Sequence, residues 1–349
     1  MSKKSFSLKL SLLMLSSSLA WGQAPAAKAP QDNTLPSPEK IDQVLKEAYN
    51  KFKSEKEGKN ADYIPALAKV PSTYFGIALV TTDGKVHTVG DVQQPFSIQS
   101  ISKVITLAEV MQESGEQSVE KNIGVDATGQ AFNSITAIEQ YKGQEMNPLV
   151  NPGAITTTSM VQGKNPDDVW NKIINMHEAF AGRDLEVNQE VYRSESDTNQ
   201  RNQAIGMLMH AYGRIKSDPK VATDLYTRQC SINVTAKDLS VMASTLANGG
   251  VNPVTGKKVV EQKNVEGILA VMSTAGLYDD SGKWLAKTGL PAKSGVGGGI
   301  MAVSPGKFGV AAFSPPLDAA GNSVRAQKAI AYISDALNGN PYDINPRVK

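Results

Sequence analysis

Residues 96 to 107 read FSIQSISKVITL. The stretch begins with the β-branched and aromatic residues of a strand. It then takes up helical spacing, with Val104, Leu107, Ala108 and Met111 on one side and Gly115 as a stop. Three serines and a lysine sit at this junction, where an ordinary core element would carry more hydrocarbon. If Ser100 opens the helix, Lys103 lies roughly one turn on and the two side chains share a face. A serine hydroxyl is a poor nucleophile until a base takes its proton. A lysine whose pKa is lowered by burial and nearby positive charge can do so, and a helix N-terminus favours the negative charge that results. The bland alternative is a capping serine beside a snorkelling lysine.

The spacing S-x-x-K occurs five times, at Ser37-Lys40, Ser100-Lys103, Ser118-Lys121, Ser217-Lys220 and Ser304-Lys307. Ser37, Ser217 and Ser304 share their matches with a proline, which suits turns, and Ser118 lies in the polar run SGEQSVEKN. Only Ser100 and Lys103 are embedded in apolar residues at a change of periodicity. Penicillin-binding proteins and serine β-lactamases use the same spacing for a serine activated by a lysine, together with K-[ST]-G on a neighbouring strand. Lys287-Thr288-Gly289 and Lys293-Ser294-Gly295 both match the second element. The latter leads into the strand-like VGGGIMAV, whose glycines permit close backbone approach and could present N–H groups to an oxyanion; a bulged or tightly packed strand is the plainer reading.

Around this centre the chain reads as an α+β domain. PEKIDQVLKEAYNKF repeats apolar residues at helical spacing, and TYFGIALVTTDGKVHTVGD gives two strands about Asp83-Gly84. The long middle, roughly 104–285, is helical by pattern, with Thr235 and Asp238 as a capping pair before Gly249. Strand signal returns only near the C-terminus, where AKSGVGGGIMAV and KFGVAAFS form a hairpin about SPGK before a closing amphipathic helix, SVRAQKAIAYISDAL. Strands at both ends predict an antiparallel sheet formed by the N- and C-terminal parts with flanking helices. An inserted helical subdomain and a binding cleft between the two parts complete the expectation.

The chain has 349 residues, 40% hydrophobic and 20% charged, as expected of a globular protein with a substantial core. MSKKSFSLKLSLLMLSSSLAWGQA has Lys3, Lys4 and Lys9 ahead of a short apolar run and small residues, so residues 1–22 read as a secretory signal peptide cleaved near Gly22-Gln23. Residues 23–37 read as a flexible spacer, and 38–349 as the folded domain. A periplasmic or secreted location follows as the expectation. Loss of residues 1–22 leaves 36 − 3 = 33 basic against 34 acidic side chains, a near-neutral surface with no basic stripe for nucleic acid. No later segment has the roughly 18 consecutive apolar residues of a membrane helix. Cys230 is the only cysteine and the three histidines form no spaced pair, so Cys230 reads as core and neither a metal nor an organic cofactor is expected.

Nine segments resemble the serine-dependent glutaminases in that family's order: ADYIPALA (61–68), FSIQSISKV (96–104), NPLVNPGAI (147–155), SESDTNQRNQAI (194–205), LYTRQCSINVT (225–235), LANGG (246–250), GLYDDSG (276–282), GLPAKSGVGGG (289–299) and SPPLDAAGNS (314–323). The resemblance covers about residues 40–335. It implies a β-lactamase-like fold, hydrolysis of L-glutamine to L-glutamate and ammonia, and assembly as a homodimer or homotetramer. It further implies Ser100 as nucleophile, Lys103 as its base, and Tyr63 and Tyr278 flanking the site, Tyr278 shuttling a proton to the leaving amine. Asn151, Glu195, Asn202 and Tyr226 would hold the substrate's α-amino and α-carboxylate groups, and the N–H groups of Ser100 and Val296 would form the oxyanion hole. Pro152 departs from the small residue expected after Asn151 and removes one backbone N–H. The apparent export signal is a second departure, since the family is mainly intracellular. Two other readings share parts of the pattern. A transpeptidase or β-lactamase lacks support from any clear S-x-N or Y-x-N element, and a non-catalytic glutamine-binding protein would not be expected to retain both Ser100 and Lys103.

Overall fold

Strand β1 (Gly76–Thr81) is buried at every position, which an amphipathic surface strand would not be. The reason is a sheet covered on both faces. In this computed structural model, which describes residues 35–144 and 146–343, β1 is flanked by β2 (Val86–Gly90) and β7 (Phe308–Phe313). The sheet continues through β6 (Gly299–Ser304) to β5 (Ala292–Ser294), in the antiparallel order β2-β1-β7-β6-β5. The expected signal peptide and most of the expected spacer lie outside the described residues. The N-terminal and C-terminal strands do share one sheet, and the register that joins them pairs Gly76 with Phe313 and Thr81 with Phe308.

Strand alternation sends two sets of side chains to opposite faces. Ile77, Leu79, Ile300, Ala302, Val310 and Ala312 pack against α1 (Pro38–Phe52) and α14 (Val324–Ala336). Each fully buried isoleucine or leucine of this set contributes about 1.5–3 kcal/mol by leaving water. Ala78, Met301, Val303, Ala311 and Phe313 belong to the larger core on the other face. That face is covered by α11 (Ala236–Ala247), whose start is fixed by the expected reciprocal cap between Thr235 and Asp238. Gly309 lets α11 lie close on the sheet, because a Cβ there would stand 2.1 Å from the Ser244 nitrogen.

The remaining helices run α2 (Pro65–Ala68), α3 (Ser102–Ser114), α4 (Glu116–Asn122), α5 (Ile135–Tyr141), α6 (Asn151–Met160), α7 (Pro166–Ala181), α8 (Gln189–Thr198), α9 (Gln200–Ala211), α10 (Pro219–Cys230), α12 (Gln262–Ala275) and α13 (Ser281–Thr288). Two details of the sequence reading are corrected. The middle of the chain is not wholly a separate helical insertion, since α11 forms one layer of the sheet core. Nor is the middle free of strand: β3 (Phe96–Ser97) pairs with β4 (Asn233–Val234), a two-residue ladder too short to leave a periodic signal. Helix α3 is the hub, buried from Ser102 through Ala108 and packed by α6, α7 and α12.

Candidate active site

The opening segment does not pass directly from strand to α-helix. Gln99–Ile101 form a 3-10 turn before α3 begins at Ser102, and Gln99 has φ +51°. That left-handed backbone is unfavourable for a side chain larger than glycine's and marks a position held by its surroundings. The turn puts Ser100 in a pocket wall, with only 7% of its surface exposed. Tyr278, in the 3-10 turn Tyr278–Asp280 before α13, is also left-handed at φ +53°. Its hydroxyl lies 3.5 Å from the Ser294 carbonyl oxygen and beside Ser100; burial pushes the phenol up to about 12, against the opposing effect of those two neighbours.

Lys103 is 1% exposed, and its Nζ donates to Asn151 Oδ1 at 2.7 Å and to the Leu149 carbonyl at 3.4 Å. Burial lowers it to about 8 against the opposing pull of the Cys230 thiol and the Glu195 carboxylate. A neutral amine has two N–H bonds and one lone pair. Two carbonyl oxygens take the two hydrogens, which leaves the lone pair as the amine's one remaining polar position. Among the described residues no hydrogen bond joins Ser100 to Lys103 or to Tyr278, the two groups nearest it in role.

Asn151 is fixed at both ends of its amide. Its Oδ1 also accepts from Tyr226 Oη at 3.1 Å, and its Nδ2 donates to Asn202 Oδ1 at 2.9 Å. Pro152 costs this arrangement nothing in hydrogen bonding: it occupies the first turn of α6, where a backbone N–H would have no helical acceptor. Glu195, on α8, is 7% exposed and accepts from Gln99 Nε2 at 3.2 Å. Burial raises its carboxyl to about 7, and the Gln99 bond and the Lys103 charge oppose the rise.

The glycine run is a turn, not part of a strand as the sequence suggests. Lys293 and Ser294 end β5, residues 295–298 cross over, and β6 starts at Gly299. The turn packs on the segment before Ser100, and at Gly297 a Cβ would stand 2.5 Å from the Ser97 carbonyl oxygen. Gly298 N–H closes the turn on Gly295 O at 3.0 Å. Among the described residues, no backbone carbonyl accepts from the Ser100 or Val296 N–H.

Tyr63, Ser100, Asn151, Glu195, Asn202, Tyr226 and Val296 all line one cavity of about 140 Å³. That is below the roughly 300 Å³ where drug-sized pockets begin, and suits a ligand of amino-acid size. Tyr63 forms the outer wall at 57% exposure, yet loss of water around its hydroxyl, together with Tyr278 and Glu195, raises its pKa. Lys103 and Tyr278 support this wall from behind. Sequence reasoning missed Gln99, Phe132, Asn133 and Arg201, which also line the cavity together with Ile64, Thr198 and Asn199; Arg201 Nε donates to Asn133 O at 3.0 Å. Gln99 and Arg201 stand inside quoted segments, whereas nothing periodic marks Phe132. The other S-x-x-K matches have structural duties: Ser37 caps α1, Ser118 and Lys121 lie on α4, and Ser304 and Lys307 flank the β6–β7 turn. Ser217 and Lys220 bracket the start of α10. Lys287-Thr288-Gly289 is the end of α13, with Gly289 as its left-handed cap. Cys230 is buried and its thiol is pushed up to about 12 by burial. No group of metal-ligating side chains is found among the described residues, and no helix there is long and apolar enough to cross a membrane.

An antiparallel sheet between helical layers, with a buried serine and lysine at the start of a central helix, places the chain in the β-lactamase-like class of folds. Comparison with known proteins narrows this. The glutaminase family model matches residues 58–342. A glutaminase from Colwellia psychrerythraea is 57% identical over 314 residues, covering 90% of this chain and 99% of that one. Among solved structures, the probable glutaminase ybaS superposes with TM-score 0.87 at 46% identity, over 88% of this chain and 100% of the other. A probable glutaminase from Bacillus subtilis, complexed with 6-diazo-5-oxo-L-norleucine, gives 0.75 at 28% identity over 87% and 95%. The chain belongs to the glutaminase family, and is a hydrolase acting on the side-chain amide of glutamine.

Proposed function

We propose that this glutaminase works through a serine nucleophile, and the observation that carries the reading is the hydrogen-bonded setting of Lys103. Both hydrogens of its neutral amine are taken by Asn151 Oδ1 and Leu149 O, so the lone pair is free to receive a proton from Ser100. Ser100 Oγ forms a bond to the side-chain carbonyl carbon of L-glutamine as Lys103 takes the hydroxyl proton. The Ser100 and Val296 N–H groups receive the developing oxyanion. The C–N bond then breaks as the proton held by Lys103 passes through the Tyr278 hydroxyl to the departing nitrogen, so that ammonia leaves an acyl-enzyme and Lys103 is neutral again. Water attacks that ester with Lys103 again as base, giving L-glutamate and free Ser100.

The ends of the substrate call for opposite charges. Glu195 is the anion for the α-ammonium group, held in place by Gln99. With Asn151 Oδ1 occupied by Lys103 and Tyr226, the remaining amide hydrogens of Asn151 and Asn202 are the donors for the α-carboxylate. Tyr63 closes the outer side.

Ammonia release from L-glutamine by the parent and by Ser100→Ala tests the scheme, with thermal melting to show that the variant folds. The expected loss is at least about 10³-fold in kcat. Treatment of the parent with 6-diazo-5-oxo-L-norleucine, followed by peptide mass mapping, should place the adduct on the peptide carrying Ser100. An adduct elsewhere, or an active Ser100→Ala, overturns the serine route. Export rests on the N-terminal sequence and is tested by cell fractionation, where uncleaved protein in the cytoplasm would defeat it. Assembly as a homodimer or homotetramer rests on the family resemblance; light scattering would test it, and a monomer would count against it.

A further inference from the structure

Lys293 is a second lysine at this site, and the mechanism above gives it no task. It is 0% exposed and forms no ion pair among the described residues. Burying an unpaired amine is expensive, and an apolar side chain of the same length would fill the space without that cost. Its surroundings are specific. Nζ donates to the Ser294 carbonyl oxygen at 2.7 Å and stands 4.2 Å from the centre of the Tyr278 ring. The same carbonyl oxygen lies 3.5 Å from Tyr278 Oη, whose other neighbour is Ser100. One amine therefore touches both the ring of Tyr278 and the oxygen beside its hydroxyl.

We propose that Lys293 is a positioning residue for the hydrolysis, holding the Tyr278 hydroxyl against Ser100 through the ring face and the Ser294 carbonyl. This rests on the serine route proposed above. Tyr278 needs such support because its backbone is left-handed, and the phenol must reach Ser100 from a turn of three residues. Phe132 braces the ring as well, at 4.7 Å between centroids.

The groups that act on Lys293 are its own desolvated setting, Lys103 on α3 and the Cys230 thiol on α10; burial first and the Lys103 charge second push it well below the usual lysine range. Lys293 is not in turn among the groups that shift Lys103, and burial is what lowers that amine. Glu195 on α8 offsets it from the other side, and the Tyr226 phenol, raised by burial, stays neutral.

The test compares Lys293→Met and Lys293→Arg with the parent. Methionine removes donor and charge at nearly constant length; kcat should fall on the order of 10- to 100-fold with KM for L-glutamine changed less than about threefold, since the substrate's charged ends are bound elsewhere. A permanently charged arginine, close enough to Lys103 for the two charges to repel, should move the acid limb of the pH–rate profile to lower pH. A purely structural lysine would alter stability and leave kcat of the folded variant unchanged. In a Tyr278→Phe background, Lys293→Met should add little further loss, because the two act as one unit. If the methionine variant does not fold, Lys293→Gln carries the same comparison. Unchanged kcat and an unmoved profile in a folded variant, or losses that simply multiply with Tyr278→Phe, overturn the proposal. Failure of the underlying serine route is recognised separately, by an active Ser100→Ala.

Discussion

The state of Lys103 sets a definite pH dependence. Its base form is the neutral amine, and burial brings its pKa to about 8. The neutral fraction is then about 1% at pH 6, about 9% at pH 7, about 50% at pH 8 and about 90% at pH 9. The sign follows: activity grows as pH rises through the folded pKa and is lost below it. Glu195 acts in the same sense, since its carboxyl at about 7 must be ionised to hold an ammonium group, so the acid limb should be steeper than one proton below pH 7. The thiol of Cys230 stays protonated throughout this window and adds no limb. Initial rates of ammonia release at L-glutamine concentrations well below KM, in buffers of constant ionic strength, give kcat/KM directly. A rise of about twentyfold from pH 7 to pH 9 is expected, about tenfold from Lys103 and about twofold from Glu195. A flat profile over that range, or a maximum near pH 6 with decline above it, would refute the assignment of neutral Lys103 as base.

Other outcomes are equally specific. Lys103→Met should abolish turnover while raising stability at pH 7 by on the order of 1–3 kcal/mol. The unfolded lysine stays protonated to its ordinary 10.5 and the folded one only to about 8, so the cost of burial is full below pH 8 and vanishes as pH rises past 10.5. Urea titration at pH 7 and pH 10 would show the advantage shrinking; a variant no more stable than the parent at pH 7 contradicts it. Glu195→Gln keeps the shape but loses the anion, and kcat/KM should fall on the order of 100-fold, mostly through KM, as steady-state kinetics will show. Gly309→Ala drives a Cβ against the α11 backbone and should cost about 1–3 kcal/mol in a denaturant titration; a neutral result would mean the helix can lift off the sheet.

The parts of this molecule legible in sequence are those governed by local rules. The Thr235–Asp238 cap, the Asp83-Gly84 turn and the Gly115 stop are each chemistry within a few residues, and the structure has all three. Apolar context likewise separated Ser100-Lys103 from four decoys, since burial shows in neighbouring side chains. What escaped depends on distant parts of the chain. Gln99 is held left-handed by the glycine turn and by Glu195, which are remote in sequence, and α11 looks like any amphipathic helix until the sheet beneath it is known. The turn at 295–298 reads as strand in the sequence because glycine between β-branched residues carries no sign of which way the backbone goes. Lys293 appeared within a recognised motif, but only the Tyr278 ring 4.2 Å away gives its amine a task.

The pairing of residue 76 with residue 313 has a consequence for how the molecule comes into being. During synthesis β1 and β2 emerge as a hairpin whose second edge has no partner until almost the whole remaining chain has been made. Joining strands so far apart requires closing a very long loop before any contact rewards it, which slows folding and leaves an apolar edge open to association. Cys230 is the only cysteine, so no internal covalent link holds the early pieces near one another. Maturation should therefore be a late, cooperative event triggered by the last third of the polypeptide, and fragments ending before β7 should be handled by the cell as unfolded protein.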